Sequence, residues 1–141
     1  LGTVDGNDYS MTITHTPSTP VCADDAFEDN DTFVTPTAIT TGTHAALRSC
    51  PSDQDFYSIA LVAGDVITVS LTFTHSEGDI DVYLADSTGT IVTSSETTTD
   101  NESLTHTVVT GGTFLILVNF WEEFGVTVGN DYSMTITVPS P

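Results

Sequence analysis

The sequence predicts an all-β protein: an antiparallel, jelly-roll-like β-sandwich with an extra N-terminal β-strand that duplicates the last strand. Three observations predict it. Apolar and polar residues alternate with a period of two through much of the chain, the pattern of half-buried strands. Thr and Ser number 27 and 13 of 141 residues, and β-branched Thr favours strands over helices. Turn sequences such as Gly64-Asp65, Asp86-Ser87-Thr88-Gly89 and Gly111-Gly112 separate the alternating stretches at the spacing of a sandwich. No stretch sustains a 3.6-residue period.

The elements follow in order. Residues 6–14 alternate, with Tyr9, Met11 and Ile13 on one face and Asp8, Ser10 and Thr12 on the other. Residues 35–39 make at most one helical turn. Residues 56–61 form a strand that ends at the Gly64-Asp65 turn. Residues 66–74 alternate cleanly, with Ile67, Val69, Leu71 and Phe73 facing inward. Residues 80–85 bury Ile80, Val82 and Leu84, and residues 90–94 return after the turn. Residues 103–109 form a strand before Gly111-Gly112. Residues 113–120 are apolar on both faces, as in a central strand covered on both sides. The last strand carries Tyr132, Met134 and Ile136 on its apolar face.

The strongest internal pattern is a repeat. Gly6-Asn7-Asp8-Tyr9-Ser10-Met11-Thr12-Ile13-Thr14 recurs residue for residue over 129–137. The flanks differ: Leu1 stands against Phe124 and His15 against Val138. A domain needs its last strand once. Residues 1–14 therefore read as the end of a preceding homologous unit, or as a strand donated to a neighbour. Residues 15–21, rich in Pro and Thr, read as a semi-rigid linker. The sandwich spans 22–138, and residues 139–141 read as the start of another linker. With no initiating Met and no basic or apolar leader, the chain reads as a mature or excised segment.

Composition excludes several classes. Asp and Glu number 20 against one Lys or Arg, a formal net charge of -19. Nucleic-acid binding is excluded, because that affinity comes from cations neutralising phosphates. An anionic membrane surface is disfavoured for the same reason, and no apolar run is long enough for a spanning helix. Such a charge is self-repulsive and is relieved by salt or by bound divalent cations. Cys22 and Cys50 are expected to form one disulfide in an extracellular chain. Two free thiols would be the cytosolic alternative. A zinc site lacks the partner motifs it needs.

Acidic residues cluster. Asp24, Asp25, Glu28, Asp29 and Asp31 surround Asn30, while Asp53 and Asp55 precede one strand and Asp79 and Asp81 open another. Hard cations such as Ca²⁺ take six to eight oxygen ligands, and the first cluster could supply most of a site if Asp53 and Asp55 fold against it. A solvated acidic loop is the alternative. The Cys22–Cys50 bond would hold the two segments close. Trp121, in the aromatic stretch 120–124, could stack on a sugar or peptide, but capping of the sandwich end is the favoured expectation. Asn30 and Asn101 fit the N-glycosylation pattern. Catalysis has no support: there is no nucleophile elbow and no zinc-protease motif, and His15, His44, His75 and His106 are far apart.

Several segments together resemble a known family. Phe27-Glu28-Asp29-Asn30-Asp31-Thr32 followed by Ala38 resembles the E-P-N-D-T…A opening of bacterial pre-peptidase C-terminal domains. Ser52-Asp53-Gln54-Asp55-Phe56-Tyr57 is similar to their D-x-D-[WYF]-[YF] strand. Ala63-Gly64-Asp65, the stretch 78–84, Asp86-Ser87-Thr88-Gly89 and Thr110-Gly111-Gly112-Thr113-Phe114 follow in the family's order. The stretch 130–136 resembles its closing Y-x-L-x-V strand. The resemblance runs from Cys22 to Val138. It implies a secreted, non-enzymatic β-sandwich, often in tandem, related to collagen-binding modules of bacterial collagenases. It also implies Ca²⁺ held by Glu28, Asn30, Asp31, Asp53 and Asp55. Asp29 replaces the usual Pro. Ala26 stands where collagen-binding relatives carry an acid, so Asp24 or Asp25 would have to compensate.

Two functions are expected. In the first, the chain is a non-enzymatic extracellular unit of a head-to-tail array or filament, partnered by copies of itself or by adjacent homologous units. Tyr9, Met11 and Ile13 then form the inter-subunit strand. In the second, it is a calcium-dependent module that binds collagen or polysaccharide for a secreted enzyme, with Trp121 and Tyr83 as stacking residues.

Overall fold

A computed structural model describes residue 2 and residues 6–16 and 21–139. Among these residues nine strands build two sheets: β1 (Thr37–Ala38), β2 (Gly42–Ser49), β3 (Gln54–Leu61), β4 (Val66–Thr72), β5 (Gly78–Asp86), β6 (Ile91–Ser95), β7 (Glu102–Thr107), β8 (Gly112–Glu123) and β9 (Asn130–Thr137). One sheet has the order β1-β3-β8-β5-β6 and the other β2-β9-β4-β7. All pairings are antiparallel except β1 with β3. The chain is thus an all-β sandwich. The one helical piece among the described residues is a 3-10 turn at His75–Glu77.

The core lies where the alternation placed it. Ile67, Val69 and Leu71 of β4 meet Ile80, Val82 and Leu84 of β5 and Ile116 and Val118 of β8, all buried. β8 lies between β3 and β5, with Phe114, Leu115, Ile116 and Val118 buried and Leu117 half-buried. β9 is equally central to its own sheet, paired with β2 and with β4. Its Tyr132, Met134 and Ile136 are buried.

One expectation needs correction, and two segments add findings of their own. Residues 35–39 do not make a helical turn: a backbone hydrogen bond from Thr35 N–H to Thr32 O closes a turn, and Thr37–Ala38 then runs as a short parallel strand. β2 escaped the alternation rule because Ala46 adopts a positive φ of 58° and the register slips between His44 and Leu47. The two faces are thereby exchanged midway along the strand. The first copy of the repeat, residues 6–14, has no strand pairing among the described residues. Its Tyr9, Met11 and Ile13 are 86%, 71% and 77% exposed. Alternation sets which face of a strand is apolar, but a strand also needs a neighbour to take its backbone hydrogen bonds. Residues 1, 3–5, 17–20, 140 and 141, and so most of the two expected linkers, lie outside the described residues.

Cys22 and Cys50 form a disulfide with a Cα–Cα distance of 5.8 Å across a sequence separation of 28. It joins the segment before β1 to the end of β2. Closing a loop of this size stabilises by about 3–4 kcal/mol on the chain-entropy estimate. Reduction is therefore expected to lower the unfolding free energy by about that amount in urea titrations. An unchanged midpoint would contradict a constraining role for the bond.

Candidate functional site

The site is built at the disulfide end of the sandwich. The segment 22–31 is folded onto β2 and β3 by short-range capping. Asp25 Oδ1 accepts from Phe27 N–H at 2.8 Å, and Asp25 Oδ2 accepts from Arg48 N–H at 2.9 Å. Asn30 O accepts from Phe56 N–H at 2.9 Å, which docks the segment on β3. Arg48, the only Lys or Arg of the chain, braces the other side. Its Nη1 donates to Asp131 Oδ1 at 2.7 Å, its Nη2 to Val128 O, and its Nε points to Cys22 Sγ at 3.4 Å.

These contacts bring the acidic residues together. Carboxylate oxygens of Glu28, Asp31 and Asp53 lie within 4.8 Å of one another, as do those of Asp24, Asp25 and Glu28. Asp24 also meets Asp53 beside Cys50, whose sulfur is already committed to the disulfide. Of the residues named from sequence, Glu28, Asp31 and Asp53 converge. Asp24 and Asp25, the candidate replacements for an acid at Ala26, complete the cluster. Asn30 is fully buried behind it; with its amide nitrogen toward Glu28 it donates to both carboxylate oxygens, at 3.0 and 3.2 Å. Asp55 is not part of the convergence. It lies inside the sandwich, 1% exposed, and its Oδ2 accepts from Tyr132 Oη at 2.8 Å.

The crowding shows in the acidities. Burial, then the neighbouring Asp31 and Asp24, push Glu28 up to about 8. A hydrogen bond with Asp24, burial and the surrounding negative charge push Asp53 up to about 7. Burial pushes Asp55 up to about 8, against the hydrogen bond from Tyr132. Bare carboxylates at such spacing repel one another, and a shared proton or a cation would relieve that repulsion. The donor set is oxygen only, the chemistry that hard cations such as Ca²⁺ select.

A cleft of about 550 Å³ adjoins the cluster, lined among others by Asp31, Ser52, Asp53, Gln54, Asn119 and Trp121. Trp121 does not cap the sandwich end as expected. The β5–β8 register slips between Asp79 and Ile80, opposite the stretch of β8 that holds Trp121, and the indole is left 67% exposed. Tyr83 lies elsewhere on β5, half-buried, with its hydroxyl 3.4 Å from Asp81 Oδ2. The two aromatics do not form a row. Asn101 is exposed, and its Oδ1 accepts from Phe73 N–H at 3.0 Å. Buried Asn30 presents no amide to a glycan-transferring enzyme in the folded chain.

The His side chains are engaged separately. His44 Nε2 contacts Thr40 O, His75 stacks on Phe124 and lies 3.4 Å from Asp79, and His106 packs near Phe114. Among the described residues no candidate metal group contains His, and no helix is long and apolar enough to cross a membrane.

In fold, this sandwich is similar to two solved structures. The chain is similar in structure to the pre-peptidase C-terminal domain of a collagenase from Bacillus anthracis. The TM-score is 0.55 at 9% identity, over 72% of this chain and 94% of that one. It is also similar to Aeromonas hydrophila PliG, a periplasmic lysozyme inhibitor of g-type lysozyme, with a TM-score of 0.53 at 11% identity, over 74% of this chain and 96% of that one. No protein-family model matches the sequence, and no curated protein matches it. At these identities the likeness is one of fold. The disulfide fits an exported protein.

The acidities set a pH dependence. All three raised values lie above those of the unfolded chain, so folding takes up protons between about pH 4 and pH 8. The resulting stabilisation is complete below about pH 4 and is lost as pH rises through the raised values. In chelator, the melting temperature is expected to fall between pH 5 and pH 8.5, and less steeply in Asp55→Asn. A flat profile in the parent chain would show that the carboxylates are not crowded in solution.

Proposed function

We propose that the chain is a non-enzymatic extracellular structural module, a unit of a head-to-tail array or filament, in which residues 6–14 connect adjacent units. One observation carries this reading. The same nine residues occur twice, and their apolar face is exposed in the first copy and buried in the second. Exposed Tyr, Met and Ile at alternating positions form a sheet-ready face that lacks its sheet. A connection from the start of one unit to the body of the next is heterologous. It propagates rather than closes, which produces a fibre.

Calcium belongs to this reading as a stiffening element. Asp24, Glu28, Asp31 and Asp53 would hold it at the disulfide end of the sandwich. The ion would replace protons there and offset part of the -19 charge. Calcium added to chelator-treated protein is expected to stabilise the fold by about 2.7 kcal/mol at a hundredfold excess over Kd. Asp53→Asn is expected to reduce that gain strongly. No thermal shift in the parent chain would remove calcium from the proposal. Electron microscopy of native material tests the array itself: regular fibres support it, and dispersed single beads overturn it.

A second reading is favoured by the cleft. Asp31 and Asp53 of the acidic cluster and exposed Trp121 share its wall, an arrangement suited to calcium-dependent capture of a polysaccharide or collagen. Retention on cellulose or collagen that is lost on chelation and in Trp121→Ala would favour this module over the array unit. Equal retention of the parent and variant chains would exclude it.

A further inference from the structure

The array reading leaves open where residues 6–14 dock, and the slot that β9 occupies answers this residue by residue. Gly129 adopts φ +81°, and a Cβ there would come within 2.5 Å of Cys22 Sγ and 2.7 Å of Ser49 O. Only glycine fits. Asn130 is buried, and its Nδ2 donates to Thr74 O and Gly78 O, both at 2.9 Å. Asp131 receives Arg48. Tyr132 Oη donates to the buried Asp55 and lies 2.8 Å from Tyr57 Oη. Thr135 Oγ1 lies 3.0 Å from Thr43 Oγ1. Met134 and Ile136 are fully buried.

The first copy keeps every one of these residues as Gly6, Asn7, Asp8, Tyr9, Met11, Thr12 and Ile13. In its own place it uses none of them among the described residues. A Cβ at Gly6 would meet open space among the described residues, and Tyr9, Met11 and Ile13 are exposed. Addition to a sheet edge would require only the apolar alternation. It would not require a glycine that clears a disulfide, an amide that bridges two carbonyls, or a phenol that reaches a buried carboxyl. The identity spans the strand itself and ends before Val138, which still packs against the core. It covers Gly129 and β9, while Val128 against Asp5 and Val138 against His15 differ.

We propose, resting on the array reading, that residues 6–14 are a second β9 strand, built to enter the slot between β2 and β4 of a second copy of this sandwich. The slot takes one strand. The contacts are the same whichever copy fills it, so the tether decides the competition. The chain's own β9 enters from a short loop at high effective concentration and prevails in dilute solution. Crowding of units along an array, or weakening of the resident strand, hands the slot to the incoming copy, as in domain swapping.

The test uses the full chain and disables the resident strand alone. Met134→Asp places a carboxylate in the core if β9 stays in its slot. The variant is expected to assemble with rising concentration, reaching about twice the monomer mass or more by light scattering, and to keep a cooperative melting transition. The double variant Met11→Asp/Met134→Asp has no competent strand and is expected to lose both assembly and transition. Mixed with the parent chain, whose first copy is free to donate, it is expected to regain the transition in a one-to-one complex. Gly6→Val in the Met134→Asp background is expected to abolish assembly, because a Cβ at position 6 would strike the disulfide of the receiving copy.

Identical mass and melting for the single and double variants would overturn the proposal. So would a folded monomer of Met134→Asp, which would mean that the chain fills its own slot. The array reading fails separately. Fibres of native material that persist in Gly6→Val would keep the array and place its contact at an edge, against this inference. Absence of fibres in the parent chain would remove the array itself.

Discussion

The hydrogen-bonded group of Tyr132, Asp55 and Tyr57 is the contact on which the rest of the molecule depends. Tyr132 belongs to β9 in one sheet, and Asp55 and Tyr57 to β3 in the other. A carboxyl buried inside a sandwich is costly unless its hydrogen bonds are met. Here the partner comes from across the sheet interface, so the two sheets meet in one alignment. That alignment fixes the start of β3. It sets Asp53 at the rim and lets Phe56 N–H take the carbonyl of Asn30. The acidic cluster is assembled at the surface because a polar group beneath it is satisfied in the core.

Charge is the opposing force. Carboxylates that converge at one end of a chain carrying -19 charges should spread apart. Two devices resist this. The disulfide ties the acidic segment to the end of β2. Arg48 reaches from β2 to Asp131 of β9 and to the carbonyl of Val128, while its backbone N–H is capped by Asp25. A single residue thus holds the acidic segment through its backbone and the disulfide and the central strand through its side chain. Burial at Glu28, the hydrogen bond with Asp24 at Asp53, and the surrounding negative charge make both carboxyls weaker acids than usual, a state that a bound hard cation would relieve.

Much of this was legible in the sequence. Strands β3 to β9 follow from alternation and turn chemistry. The cysteine pair and the acidic segments that meet beside it follow from composition and spacing. What escaped has physical reasons. β2 bulges at Ala46, which breaks the period that a pattern reads. Asp55 looks like its neighbour Asp53, yet consecutive odd positions at a strand start can lie on either side of the sheet's rim, and only packing shows which is inside. Trp121 is exposed because a register slip in β5–β8 turns that stretch of the strand outward, and a slip in a long-range pairing leaves no local trace.

The repeated segment separates the two kinds of information. Nine residues, twice written, determine by themselves an extended chain with Tyr, Met and Ile on one face. That capacity is local, since successive side chains of a strand point to opposite sides. Whether the face is buried was decided by the tertiary structure alone. At 129–137 two neighbouring strands take the backbone hydrogen bonds and an opposing sheet covers the apolar side chains. At 6–14 neither is at hand among the described residues, and the same side chains stand in solvent. Burial and sheet hydrogen bonding belong to contacts between distant parts of the chain, so no segment carries them within its own sequence.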